Sequence, residues 1–220
     1  VLHTWHALGC QVMALSPSDA EYSDFMAKLP DLFPRHGESK RAATTGDRNE
    51  VCVVVHVKWQ NFSVLLGADM TVTAARDRGW SAVIAEHHEQ RLPKSCVVKI
   101  PHHGSHNAHY EPMWNDALES SPVAVITPFG RGPKATRPPT TDDLDRIASL
   151  SSRAYVTSTP AGAPATRFES AVERTLSDGG IQVSDANPPL GLVRLRRVRD
   201  EWQERLVAPA SLIRRRATAR

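Results

Sequence analysis

Only three cysteines, Cys10, Cys52 and Cys96, occur in 220 residues; they are widely spaced and in no CxxC arrangement. That excludes a disulfide framework and a cysteine-rich zinc knuckle, and it fits a reducing compartment, so a cytoplasmic location is expected. No apolar run approaches the roughly 18 to 20 residues that cross a bilayer, and the N-terminus lacks the basic-then-apolar pattern of a secretory signal. A soluble protein without a membrane span is therefore expected. A Gly-rich phosphate loop, a nucleophile elbow and a dinucleotide fingerprint are also missing, which removes the commonest nucleotide-binding and serine-hydrolase readings. Aromatic residues are sparse at 6%, and Trp5, Trp59, Trp80, Trp114 and Trp202 are scattered without a stacking pattern, so packing is the default expectation for them.

What is present is ordinary globular material. Hydrophobic residues make up 40% and charged residues 23%, enough for one good-sized core or for one and a half small domains. The net charge is +3, and much of the excess sits late, in Arg194, Arg196, Arg197 and Arg199 and then in Arg214, Arg215, Arg216 and Arg220. The bulk charge thus says little about the core. Residues 199–220 read as a basic, solvated tail. Val193, Leu195 and Val198 alternate with arginines, as an edge strand with a charged outer face would. The first residue is Val1 rather than Met, which suggests that something lies upstream.

Along the chain, Gln11–Leu15 form an apolar run, and Ser18 with Glu21 fits a capping box that opens a helix over about 19–29. Residues 30–48 lack periodicity and read as a loop. Val51–Val57 and Phe62–Ala68 flank a polar turn and read as a β-hairpin whose second strand is buried on both faces. Helical spacing runs over about 71–88, weakened by Gly79. Cys96–Ile100 reads as a strand stopped by Pro101. A helix over 111–118, a strand over 123–126, a loop over 128–139, a helix opened by Thr141-Asp142-Asp143 and a strand over 154–157 follow. A helix near 167–177 and strands near 181–184 and 190–198 complete the pattern. Strands alternating with helices predict a layered α/β fold.

Two core strands end in residues able to hold a metal. Asp69 follows Leu65-Leu66-Gly67-Ala68, and His102-His103 follow Val97-Val98-Lys99-Ile100-Pro101. If those strands are neighbours, a carboxylate and two imidazoles converge at one sheet edge, where α/β proteins collect their functional groups. Imidazole nitrogen and carboxylate oxygen are the ligand set of zinc, manganese or iron in hydrolytic sites. Gly104 permits a tight turn beside such a site, and Ser105 offers a hydroxyl to an imidazole or a substrate oxygen. Taken singly, Asp69 is equally a turn residue or helix cap, and the histidines are equally surface residues.

Taken together, Asn49-Glu50-Val51-Cys52, Phe62–Asp69 and Val98–Ser105 resemble the metallo-β-lactamase superfamily. Within it they are similar to the C-terminal nuclease-like domain of the DNA-uptake protein ComEC, in which an Asn-x-x-Ser strand, an LLTGD strand end and a K-V-x-H-H-G-S loop occur in that order. The resemblance covers about residues 49–160. It implies an αββα sandwich, of which residues 1–198 would be mainly the C-terminal half. It implies that Asp69 bridges two divalent metal ions, zinc or manganese, that His102 ligates the second, and that His103 faces the substrate as a catalytic group. Thr127, Pro138 and Thr159 fall where family loops line the same mouth. Cys52 stands where the pattern has Ser, and Ala68 where it has Gly.

The HxHxDH element that supplies most of the family's ligands is missing; His3-Thr4-Trp5-His6 has the wrong spacing, and the other histidines do not rebuild it. The resemblance implies a metal-dependent hydrolase of phosphodiester bonds, with nucleic acid as a candidate partner and Lys99, Ser105, Arg131, Lys134 and Arg137 as candidate phosphate contacts. With half of the ligands, three readings stay open. The chain is a fragment whose upstream half carries HxHxDH, or one subunit of a split enzyme, or a degenerate non-catalytic binding or scaffold module.

Overall fold

The computed structural model describes residues 3–5, 9–34, 36–37, 49, 51–129, 138–158, 175, 178, 191–199 and 201–214. The chain folds as a mixed α/β structure around one eight-stranded sheet. Strands β1 (His3–Trp5), β2 (Cys10–Ala14), β3 (Val55–Trp59) and β4 (Phe62–Leu66) follow one another antiparallel. From β4 onward the sheet continues in parallel through β5 (Ser95–Lys99), β6 (Leu118–Ile126) and β7 (Arg153–Val156). Strands β8 (Leu192–Val198) and β9 (Glu201–Val207) pair as a separate hairpin, and β10 (Ser211–Leu212) closes the far edge of the sheet against β7.

The registers align Met13, His56, Leu65, Val98, Ala124 and Ala154 in one row across the sheet. All six are buried. Over this row pack α2 (Gly79–Glu89), through Trp80, Val83 and Ile84, and α3 (Thr141–Leu150), through Ile147 and Ala148. Burying a large aliphatic side chain contributes about 1.5–3 kcal/mol, so this row and its helix cover carry much of the fold. On the opposite face Val97, Val123 and Tyr155 are covered by Val193, Leu195, Trp202 and Leu206 of the β8–β9 hairpin. That cover is partial: Val53 and Leu66 are 45% and 40% exposed. The expectation that the second hairpin strand is buried on both faces therefore holds for the helix side only.

Residues 201–212, read from sequence as part of a solvated tail, are instead strand β9, whose Trp202 and Leu206 pack over the second face of the sheet, a turn, and strand β10, which pairs with β7 at the sheet edge. The segment 111–118 is a short wide-turned helix (Met113–Ala117) that passes directly into β6 rather than a regular helix. Helix α1 (Asp19–Lys28) begins at the expected capping box, where Glu21 Oε2 accepts from the Ser18 N–H at 2.8 Å. The other oxygen of the same carboxylate accepts the N–H of Gly79 at 2.8 Å. One buried side chain thus serves the first turns of two helices. Gly79 does not weaken α2; it starts it. Its φ is +58°, and a Cβ there would lie 2.8 Å from the Thr71 carbonyl oxygen. The predicted elements at 167–177, apart from residue 175, and at 181–184 lie outside the described residues. Among the described residues no helix is long and apolar enough to cross a membrane.

Candidate functional site

Because β4, β5 and β6 are adjacent and parallel, their C-terminal ends open on the same sheet edge. Asp69 follows the first, His102 and His103 the second, and Thr127 the third. The condition posed from sequence, that the strands ending in Asp69 and in the histidine pair be neighbours, is met. Three backbone bonds stitch the ends together: Gly67 N–H to the Lys99 carbonyl at 3.1 Å, His102 N–H to the Ala68 carbonyl at 3.0 Å, and Ile100 N–H to the Val125 carbonyl at 2.8 Å. Gly67 is required for this closeness, since a Cβ there would lie 2.9 Å from the Lys99 oxygen and 3.0 Å from the Pro101 nitrogen.

The loop after β5 is tightly wound. His102, His103 and Gly104 have φ of +42°, +58° and +86°, and Ala68 opposite them has φ of +47°. Left-handed backbone costs a residue with a Cβ about 1–2 kcal/mol, so surrounding bonds have to hold it. Here Arg146 donates to the Gly104 carbonyl at 2.8 Å and to Asp143 at 2.8 Å, while Ile147 packs where a Gly104 side chain would project. The turn aims both imidazoles into one cleft of about 790 Å³, lined among others by Glu21, Asn49, Asp69, Arg78, His102, His103, Ser105, Asn107, Phe129 and Pro138.

His103 Nδ1 lies 2.7 Å from the Thr127 carbonyl oxygen. A carbonyl only accepts, so Nδ1 carries the proton and Nε2 is the nitrogen turned toward Asp69, 3.6 Å from its Oδ1. Phe129 covers the ring, with centroids 5.0 Å apart. His102 Nδ1 is engaged by Asn107 Oδ1 at 3.0 Å, and the Asn107 carbonyl accepts the N–H of Val72 at 2.9 Å. A backbone carbonyl on the far nitrogen is the arrangement that orients metal-binding histidines. It falls on His103, which the resemblance assigned to substrate, while His102 has a side-chain amide in that place.

Lys99, expected as a phosphate contact, turns its ammonium inward to donate to the Ala68 carbonyl at 2.9 Å. Burial pushes its pKa below the ordinary lysine range, against the pull of Asp69. Its part is to tie the end of β5 to the residue before Asp69. Ser105 does line the cleft, as do Thr71, Thr73 and Asn107, which no sequence signal singled out. Cys52, partly buried beside Asp69, has its thiol pushed up to about 11 by burial, so it stays protonated. Arg131, Lys134, Arg137 and Thr159 lie outside the described residues.

Two ligands about 2.0–2.1 Å from a tetrahedral zinc stand about 3.4 Å apart, which the Asp69–His103 spacing approaches. The number of donors does not match. Among the described residues no group of three or more His, Cys, Asp or Glu side chains comes together as a metal holder, and zinc sites take at least three protein ligands. The described residues therefore do not by themselves fit a zinc or manganese site. No protein-family model, curated protein or solved structure matches this chain.

Proposed function

We propose that the chain carries one half of the active site of a metallo-β-lactamase-like hydrolase acting on phosphodiester bonds, with the remaining metal ligands supplied by residues outside this half-site. The observation that carries the reading is the placing of His103 Nε2 against Asp69 Oδ1, with Nδ1 fixed by the Thr127 carbonyl, at the end of adjacent parallel strands. The half-exposed apolar residues on the second face of the sheet, Val53 and Leu66 among them, support an αββα sandwich in which another sheet packs there.

If residues outside this half-site completed the shell, Asp69 and His103 would help to hold divalent ions, which would supply an activated water. The chain's own groups have separable tasks. Asp69 holds negative charge at the strand end, the Nδ1–H bond presents the Nε2 of His103 to a proton or a cation, and Ser105 offers a hydroxyl to a substrate oxygen. The shortfall in ligands favours one other reading, a non-catalytic binding module that keeps the same cleft.

Metal titration followed by a phosphodiesterase assay in Mn²⁺ and Zn²⁺, on this chain alone and joined to its neighbouring coding sequence or partner, tests the proposal. Weak metal binding alone, with stoichiometric binding and turnover in the joined form that Asp69→Ala abolishes, is expected. Retained turnover in Asp69→Ala would remove Asp69 from the site, and no metal binding in either form would leave the binding module.

A further inference from the structure

We propose that a second cleft, at the opposite end of β4 from Asp69, binds a nucleotide unit of single-stranded nucleic acid, base against tryptophan and phosphate against arginine. The proposal does not rest on the hydrolase reading. Two hairpins meet there. Trp59 and Phe62 are the facing pair that closes β3–β4, and Arg197 and Trp202 face each other near the turn of β8–β9. The rings of Phe62 and Trp202 stand 5.6 Å apart. Between the hairpins lies a cleft of about 560 Å³, within the roughly 300–1,000 Å³ of small-molecule sites.

Its chemistry is selective. Phe62 and Trp202 are packed against the core, but Trp59, which also lines the cleft, is 54% exposed. The other walls are Arg196, Arg197 and Arg199 with the amides of Gln60 and Asn61, and no carboxylate is among the described lining residues. Arg196 and Arg199 are exposed, and neither is ion-paired among the described residues. Every base has a π face that stacks on an indole without regard to sequence, and a guanidinium is matched to a phosphate. The side-chain amides can reach base edges. A duplex keeps its bases stacked inside and gives the indole nothing to cover. The turn is also held: Gln60, at φ +54°, donates its N–H to the Gly9 carbonyl at 3.0 Å, so the indole stands on a fixed frame.

Tryptophan fluorescence of the whole chain, titrated with a twelve-residue oligothymidylate, tests the proposal. Saturable quenching is expected, with affinity lowered about ten-fold or more by Trp59→Ala and largely kept by Trp59→Phe. Arg196→Ala with Arg199→Ala should weaken binding and reduce the salt slope by about 1.4, the value for two phosphate contacts on a single strand. A duplex of the same length and polyglutamate should compete poorly. Absence of quenching, wild-type affinity in Trp59→Ala, or equal competition by polyglutamate, which would mark an acidic protein partner, each overturns it. Trp59 is exposed, and circular dichroism of the variant verifies the fold. The readout is binding without turnover, so its failure is distinguishable from failure of the hydrolase assay.

Discussion

His103 and Asp69 face each other across 3.6 Å from the ends of two parallel neighbours, and the Thr127 carbonyl behind His103 fixes which ring nitrogen does the facing. An imidazole lone pair and a carboxylate oxygen at this spacing can share a cation between them. Asp69→Asn keeps the shape and removes the charge. On the proposed hydrolase reading, in the form joined to the missing ligands, it should lower Zn²⁺ or Mn²⁺ affinity by more than the about 10–100-fold of losing an outer-shell partner. Competition with a chromophoric chelator measures this, and unchanged affinity would take Asp69 out of the shell.

Adjacent positions at the end of β4 should respond with opposite sign. Gly67→Ala drives a methyl group into the Lys99 carbonyl and Pro101, and should cost about 1–3 kcal/mol by overpacking. Ala68→Gly relieves a φ of +47° and should stabilise by up to about 1 kcal/mol once the entropy of glycine is subtracted. Urea denaturation of both variants checks the pair, and the same sign in both would contradict the backbone account.

Glu21→Ala removes the acceptor shared by the Ser18 and Gly79 N–H groups, and should cost about 1.5–3 kcal/mol, as for bonds to a charged group. Glu21→Gln should cost less, because one amide oxygen remains. Hydrogen exchange should report faster opening at the Gly79 and Trp80 amides, at the start of α2, as well as in α1; a change confined to α1 would show that the second bond is idle.

Acid should weaken the fold through His56 and His87. Both rings are buried, 5.8 Å apart, and burial pushes both pKa values below the ordinary imidazole value. The unfolded chain takes up these protons near pH 6.5 while the folded chain does not, so stability falls as pH drops below about 6.5 and continues to fall until the depressed folded pKa values are reached. His87 Nε2 has no partner among the described residues. His87→Met should therefore cost little at pH 7.5 and flatten the loss between pH 7 and 5, read from urea midpoints. An unchanged slope would assign it to other groups.

The parts of the fold written in local patterns were legible. The capping box at Ser18 and Glu21 and the strand that stops at Pro101 rest on neighbours in sequence, while the run read as a strand over Val51–Val57 pairs only from Val55 and continues to Trp59. The approach of Asp69 to the histidine pair was legible only as a condition, since sequential strands joined by a helix are neighbours in most but not all sheets, and here they are. What depended on long-range contact was not legible. Val72 and Ala75 carry helical spacing, yet the segment crosses the strand ends and is tied to Asn107, so the helix waits for Gly79. Lys99 read as a candidate phosphate contact, and the fold turns its ammonium to the Ala68 carbonyl instead. Trp59 and Trp202 lie far apart in sequence, and only the meeting of two hairpins makes them one surface.

The left-handed turn through His102 and His103 also bears on why the imidazoles are there. At both positions glycine would adopt the observed backbone without steric strain, at an entropic cost of about 0.5–1 kcal/mol, while histidine gives up about 1–2 kcal/mol each. A chain shaped by folding alone has a cheaper residue for each place. Two histidines at a thermodynamic disadvantage, both lining one cleft, are a place where the chain gives up folding stability, which is the pattern expected of a site kept for binding or chemistry.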